Sequence, residues 1–148
     1  MRFGWASLLA AAAHAAPARA QWVTELGLQA VMTTSTPVLV GGGLYAAART
    51  SQRLRIALSV AGGVADDEAA GRGELAGHFL LNPAARSGIG AYAGGGVAGV
   101  VGPRDKGYLL LLLGVEARPG AATGWALELG VGSGLRIAAG YRWRRLVP

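Results

Sequence analysis

Few side chains in residues 21–148 could perform catalysis. His78 and Glu74 are four residues apart in one segment, and such a pair could act as a general acid and base. No serine nucleophile lies close to them in the sequence, so an interior hydrogen bond explains the pair better than catalysis does. We therefore predict that the protein is not an enzyme and has no catalytic residue.

The glycine-rich and acidic segments do not match a cofactor or metal site. Residues 88–90 and 94–96 are rich in glycine, as phosphate-binding loops are, but no helical pattern and no Lys-Ser or Lys-Thr step follows them. Asp66, Asp67 and Glu68 form an acidic run that lacks the other ligands of a calcium loop. Strand glycines and a solvated loop are the better interpretations. We predict no cofactor and no metal.

The basic composition does not indicate a nucleic-acid partner. The chain has a net charge of +6, but its basic residues are scattered and are not interleaved with aromatic side chains. It contains no cysteine, so the fold must be stable without disulfides, and an acylated N-terminal cysteine is excluded.

The first twenty residues have the pattern of a secretory signal peptide. Arg2 precedes an apolar stretch over residues 3–16, and Ala18 and Ala20 occupy the positions that signal peptidase reads. A membrane anchor is the alternative, but the stretch is shorter than the roughly twenty residues of a spanning helix. We predict cleavage before Gln21 and a single exported domain over residues 21–148.

A segment of about ten to thirteen residues, rich in Val, Leu, Ile, Ala and Gly, recurs along the rest of the chain. Each is followed by a short stretch of Pro, Gly, Asp, Asn or Ser, which is typical of turns. Eight such segments are present, at residues 22–33, 38–49, 53–64, 72–82, 88–101, 107–118, 125–131 and 135–144.

Side chains alternate between two faces in four of these segments. In the third, Leu54, Ile56 and Leu58 share one face, while Arg55 and Ser59 share the other. The fourth, seventh and eighth segments alternate in the same way. One face is apolar, and the other carries small residues and charges.

The charged face has the composition of a barrel interior. Gly and Ala separate its charges, as expected for a narrow lumen, and lysine, which is common on water-facing surfaces, occurs once, at Lys106. The apolar face must then contact lipid, and closure leaves no unpaired strand edge in the hydrocarbon. The sequence therefore predicts an all-β fold, a closed antiparallel up-and-down transmembrane β-barrel of about eight strands.

Two features of the pattern stand apart. Segments 38–49 and 107–118 are apolar on both faces, so periodicity does not assign their inward side. Aromatic residues fall at strand ends that an up-and-down path places on one side, which is typical of an interfacial belt. The predicted belt consists of Trp22, Trp125, Tyr141 and Trp143.

The last segment resembles the C-terminal assembly signal of the small eight-stranded outer-membrane barrels of the OmpX and OmpA type. Residues 136–143 begin with a polar side chain and end with Tyr141 and Trp143 on alternate positions. Ala138 replaces the usual Gly, and five residues follow Trp143 where the family commonly ends on its aromatic residue. The resemblance implies a location in the outer membrane of a Gram-negative-type bacterium and contact with the barrel-assembly machinery through this strand.

The last hairpin predicts an ion pair inside the barrel. A three-residue connection at residues 132–134 places Val131 opposite Leu135 and keeps the charged faces of both strands together. Glu128 is then a diagonal neighbour of Arg136. The predicted lumen network consists of Glu25, Arg55, Glu74, Glu128, Arg136 and Arg142.

A lumen filled by paired charges favours a structural or envelope-integrity role. A narrow, porin-like channel for small or hydrophobic solutes is the alternative, and a lipid-modifying membrane enzyme is a distant one. The predicted outer loops, at residues 33–37, 65–71 and 102–107, are short, so adhesion has little support.

The topology also predicts an uneven distribution of charge between the two ends. With both termini in the periplasm, Asp66, Asp67, Glu68 and Asp105 lie outside. A basic periplasmic rim would suit the anionic phospholipids of the inner leaflet, which makes outer-membrane lipids the expected partners. The predicted rim consists of Arg49, Arg53, Arg86, Arg118, Arg144 and Arg145.

Heat-modifiability tests the predicted barrel. Because a closed membrane barrel stays folded in detergent until it is boiled, the unboiled protein is expected to migrate at a different apparent mass from the boiled protein. Co-migration of the two samples, with the protein recovered in the soluble fraction, would contradict the prediction.

Overall fold

The computed structural model describes residues 23–146, which form eight antiparallel strands closed into a barrel. Each strand pairs with the next one along the chain, and the last pairs with the first, so the predicted up-and-down fold class is confirmed. The predicted signal peptide and Trp22 lie outside the described residues. The strands are β1 (Val23–Thr33), β2 (Leu39–Arg49), β3 (Leu54–Ala65), β4 (Glu68–Leu80), β5 (Ile89–Val101), β6 (Lys106–Ala117), β7 (Thr123–Val131) and β8 (Leu135–Leu146).

The outer surface of the barrel is apolar, and its interior contains both apolar and charged side chains. Leu109 is 76% exposed and Leu113 is 66% exposed, whereas alternate residues of the same strand are buried. The inward and outward faces that the sequence assigned to the third, fourth, seventh and eighth segments are confirmed by burial. Within residues 23–146, no helix is long and apolar enough to cross a bilayer.

The structure assigns the two segments that periodicity left open. In β2, Tyr45 and Arg49 are buried in the lumen, and in β6, Leu110, Leu112 and Glu116 are buried there. A charged residue near the end of each strand therefore points inward. Counting back from that charge in steps of two gives the correct inward face.

The two ends of the barrel carry different connections. The end where β1 begins and β8 ends, here called the proximal end, has connections at residues 50–53, 81–88 and 118–122. The opposite, distal end has connections at residues 34–38, 66–67, 102–105 and 132–134. Within the described residues, the longest connection is therefore proximal.

The predicted loop at residues 65–71 is wrong, because a two-residue turn joins β3 to β4. Asp66 and Asp67 have φ angles of 51° and 63°, so both lie in the left-handed region used by tight hairpin turns. Aspartate tolerates this region better than most residues. The strand therefore resumes at Glu68 instead of after Gly71.

The predicted register of the last hairpin is confirmed. Residues 132–134 connect the strands, Val131 faces Leu135, and Trp125 faces Tyr141. This register places Gly130 opposite Arg136 on the inner side of the wall, beside Glu128.

Several inward-facing glycines lie where two strands approach closely. A Cβ on Gly96 would overlap the backbone carbonyl oxygen of Leu75, and one on Gly43 would overlap that of Val60. Glycine permits the sharp local curvature that a narrow barrel needs. Gly73 is different, because a Cβ there would meet no atom within 4 Å.

These contacts predict opposite effects for two glycine-to-alanine substitutions. Gly96→Ala must displace the backbone of β4 and is expected to lower the free energy of unfolding by about 3 kcal/mol or to prevent folding. Gly73→Ala adds a methyl group in open space and is expected to leave stability unchanged or raise it by up to about 1 kcal/mol. Urea unfolding of both variants in lipid vesicles measures the difference. Equal stabilities would show that the barrel does not need close approach at Gly96.

Candidate functional site

The lumen contains a set of charged side chains that are almost fully buried. Each lies on the lumen side of its strand, and each is at most 6% exposed. The set, here called the lumen network, consists of the four glutamates Glu25, Glu74, Glu116 and Glu128 and the six arginines Arg49, Arg55, Arg72, Arg136, Arg142 and Arg144.

The proximal half of the lumen network is built on two carboxylates. Glu25 accepts hydrogen bonds from Arg49 at 3.0 Å and from Arg55 at 3.2 Å. One oxygen of Glu116 accepts from Arg55, Arg142 and Arg144 at 3.0, 3.1 and 2.8 Å. Arg55 therefore links both carboxylates across the lumen.

The distal half is built on the other two carboxylates. Glu128 accepts from Arg136 at 2.9 Å and from Arg142 at 2.6 Å. Glu74 accepts from Arg136 at 2.8 Å and also from Arg72. Because Arg142 contacts both Glu116 and Glu128, the two halves form one continuous network.

All six residues of the predicted network lie in it, and Arg136 pairs with Glu128. Glu25 and Arg142 lie on the adjoining strands β1 and β8 but bond to different partners among the described residues. Sequence reasoning missed four members of the network. The missed members are Arg49, Arg72, Glu116 and Arg144.

Arg49 and Arg144 differ from the expected basic rim. Both lie at the proximal end, but they turn into the lumen and are each 5% exposed. Arg144 could have been found from its position two residues after Arg142 in an alternating strand. Segment 38–49 does not alternate, so the signal for Arg49 was its charge.

His78 is held by Arg55 and not by Glu74. Arg55 Nε donates to His78 Nδ1 at 3.1 Å, and the imidazole stacks on Tyr92 with ring centroids 5.1 Å apart. The Glu74 carboxylate is bonded to Arg72, Arg136 and Ser59 instead. The two members of the candidate acid–base pair are therefore separately engaged.

Two connections fold over the proximal mouth, and we call residues 81–88 and 118–122 the proximal cap. Arg49, whose side chain lies in the lumen, donates to the carbonyl oxygens of Pro83 at 3.0 Å and Pro119 at 2.7 Å. The two segments also bond to each other, because the Gly120 amide donates to the Ala85 carbonyl at 2.8 Å. The lumen network and the cap are thus directly connected.

The distal mouth is closed by side chains of the strands themselves. Val31, Leu39, Ala65 and Val100 form a buried apolar cluster there, against which Tyr108 packs. Arg72 donates to the Tyr108 hydroxyl and so joins this cluster to the network.

Little space remains between the two ends. Two cavities among the lumen side chains each have a volume of about 10 Å³, enough for about one water molecule. Both are lined by Gln29, Tyr45 and Glu128. Among residues 23–146, no three His, Cys, Asp or Glu side chains converge as they would around a metal ion.

Comparison with known proteins identifies the architecture. No protein-family model matches the chain, and no curated protein matches it. Several solved structures match it. The N-terminal β-barrel domain of Pseudomonas aeruginosa OprF is similar, with a TM-score of 0.64 and 13% identity over 82% of this chain and 97% of that one.

Two further structures give the same result. Neisserial surface protein A has a TM-score of 0.58 and 13% identity over 82% of this chain and 96% of its own. Ail, the attachment invasion locus protein of Yersinia pestis, has a TM-score of 0.50 and 13% identity over 84% of this chain and 99% of its own. The fold is that of the small outer-membrane β-barrels. The resemblance seen in the sequence is therefore confirmed at the level of fold.

The three described residues of the predicted aromatic belt lie on the outer face of this outer-membrane barrel fold. Trp125, Tyr141 and Trp143 are 41%, 43% and 46% exposed. Trp125 and Trp143 lie toward the proximal end, and Tyr141 lies near the middle of β8. The rings of Tyr141 and Trp143 meet edge to face with centroids 5.3 Å apart.

The network predicts different roles for two buried tyrosines. The Tyr92 hydroxyl donates to Glu128 at 2.6 Å and accepts from Arg142 at 3.0 Å, so Tyr92→Phe is expected to lower the free energy of unfolding by about 1–3 kcal/mol. No described residue bonds the Tyr45 hydroxyl, and Arg142 lies over its ring at 4.2 Å, so Tyr45→Phe is expected to change stability by less than about 0.5 kcal/mol. Urea unfolding in vesicles compares them. A loss in Tyr45→Phe as large as in Tyr92→Phe would contradict the assignment.

Proposed function

We propose that the protein is a structural outer-membrane barrel that supports envelope integrity and does not conduct solutes. In this proposal residues 1–20 direct export and are removed, and residues 21–148 form the membrane domain. The observation that carries the proposal is the continuous lumen network, closed at one end by the proximal cap and at the other by the distal apolar cluster.

The outer surface supports the membrane location. Outward-facing Leu, Val and Ile side chains, such as Leu44, Ile56, Leu111 and Leu129, are each exposed by more than half of their surface. A continuous apolar surface of this extent is unfavourable in water and favourable against lipid chains. The strands contain 9 to 13 residues, a length that suits tilted strands crossing a bilayer.

The interior supports the structural role. An eight-stranded barrel has a lumen that side chains can fill, and here each carboxylate is bonded by two or more arginines. Opening a water path would separate buried ion pairs and expose charges that the network compensates. The network therefore favours a closed state.

The short distal connections argue against a role that depends on outer loops. The connection between β3 and β4 consists of residues 66–67, and the one between β7 and β8 of residues 132–134. Such turns offer little surface to a partner. We propose that the distal end faces outward and that β8, with Tyr141 and Trp143 on its outer face, is the strand that the barrel-assembly machinery recognises.

Planar-bilayer recording tests the closed lumen. The wild-type protein is expected to show no steady conductance, because the charges in the lumen are paired and the cavities have room for about one water molecule each. Glu128→Ala and Arg136→Ala each leave partners uncompensated and are expected to increase the frequency of open events. Arg86→Ala, which changes an exposed residue of the proximal cap, is the matched control and is expected to behave as wild type.

Steady conductance in the wild-type protein, unchanged by Glu128→Ala or Arg136→Ala, would contradict the proposal. That result would support a narrow channel instead.

A further inference from the structure

Four exposed arginines surround the proximal end of the barrel. Each comes from a different part of the wall: one from each of the three proximal connections and one from the end of β8. They are therefore distributed around the circumference and not gathered on one side. This set, here called the arginine ring, consists of Arg53, Arg86, Arg118 and Arg145.

Carboxylates do not neutralise the arginine ring within the described residues. The proximal connections contain no Asp or Glu, and none of the four arginines forms a salt bridge there. The carboxylates of Glu25 and Glu116, which lie in the proximal half, are buried and already bonded to other arginines. The exposed acids Asp66, Asp67, Glu68 and Asp105 lie at the distal end, where Arg104 and Lys106 also lie.

One member of the ring occupies a backbone position that favours glycine. Arg118 has a φ angle of 48°, in the left-handed region. Its amide donates to the Gly88 carbonyl, and its carbonyl accepts from Arg144, so the backbone is fixed while the side chain remains exposed.

The depth of Arg145 matches a headgroup layer. Arg145 lies two residues after Trp143 on the same outer face of β8, which places it about 7 Å further toward the proximal edge. Trp and Tyr side chains concentrate at the boundary between hydrocarbon and headgroups. The guanidinium of Arg145 therefore extends from the boundary into the layer that contains lipid phosphates.

We propose that the arginine ring binds the phosphate groups of anionic glycerophospholipids in the leaflet at the proximal end. This inference rests on the proposed membrane location and does not depend on whether the lumen is closed. Each guanidinium offers a planar set of donors that suits a phosphate, and the ring holds several headgroups around the barrel. The lipid annulus at this end is thereby enriched in anionic species.

Electron spin resonance of spin-labelled lipids tests the proposal. The protein is folded into phosphatidylcholine vesicles that contain a trace of spin-labelled phosphatidylglycerol or, in parallel, spin-labelled phosphatidylcholine. The immobilised fraction of each label gives the relative affinity. At low salt, phosphatidylglycerol is expected to be preferred by up to about fivefold, because one basic residue near a charged lipid contributes on that scale. The preference is expected to fall toward one at high salt.

Two matched variants separate the ring from the overall charge. The variant R53Q/R86Q/R118Q/R145Q is expected to lose the preference, and R104Q/K106Q, which also removes positive charge but at the distal end, is expected to keep it. A preference that survives in the arginine variant, or that never appears in the wild type, would overturn the proposal. Heat-modifiability of both variants shows that they are folded, and a failure of that assay in the wild type would count against the membrane barrel and not against the ring alone.

Inorganic phosphate distinguishes the lipid from the free anion. At equal ionic strength, phosphate is expected to displace the lipid label no better than chloride, because separate guanidiniums at the bilayer surface form no enclosed anion site. Selective displacement by phosphate would overturn the assignment to lipid.

Discussion

The requirement that every charged side chain in a narrow lumen have bonding partners governs this barrel. A buried carboxylate or guanidinium without partners would destabilise the fold by roughly several kcal/mol. The four glutamates of the lumen network are each shared between two or more arginines, and each glutamate pairs with at least one arginine of another strand. Slipping a strand that carries charges of the network by one residue would turn those charges toward lipid and leave their partners unpaired. The network therefore specifies the register of the wall as well as filling its centre.

The excess of arginine over glutamate explains how the lumen connects to its two ends. Six arginines and four glutamates leave guanidinium donors that need neutral partners. Arg49 finds carbonyl oxygens in the proximal cap, and Arg72 finds the hydroxyl of Tyr108 beside the distal cluster. Arg55 lies over the Tyr92 ring at 4.5 Å. The surplus guanidinium donors therefore connect the lumen network both to the proximal cap and to the distal apolar cluster.

The fold was largely predictable because alternation is a local property of each strand. Periodicity failed in β2 and β6, where the lumen side chains include Leu39, Leu110 and Leu112. A narrow lumen accepts apolar side chains as readily as lipid does, so the two faces of such a strand look alike in sequence. The charges of Arg49 and Glu116 mark the inward face of these two strands, once the lumen is known to be the charged side.

The network was less predictable than the fold, because half of its ion pairs join strands that are not neighbours in the wall. Glu128 and Arg136 lie on adjacent strands, so the register of one hairpin was sufficient to place them together. Arg55 and Glu116 lie on β3 and β6, which are not neighbours in the wall, and their 3.0 Å contact depends on the diameter and tilt of the whole barrel. Strand pairing determines which residues are neighbours around the wall. Which side chains meet across the lumen depends on how the whole barrel closes. A sequence pattern can therefore predict that a charged side chain lies in the lumen without predicting which residue it bonds.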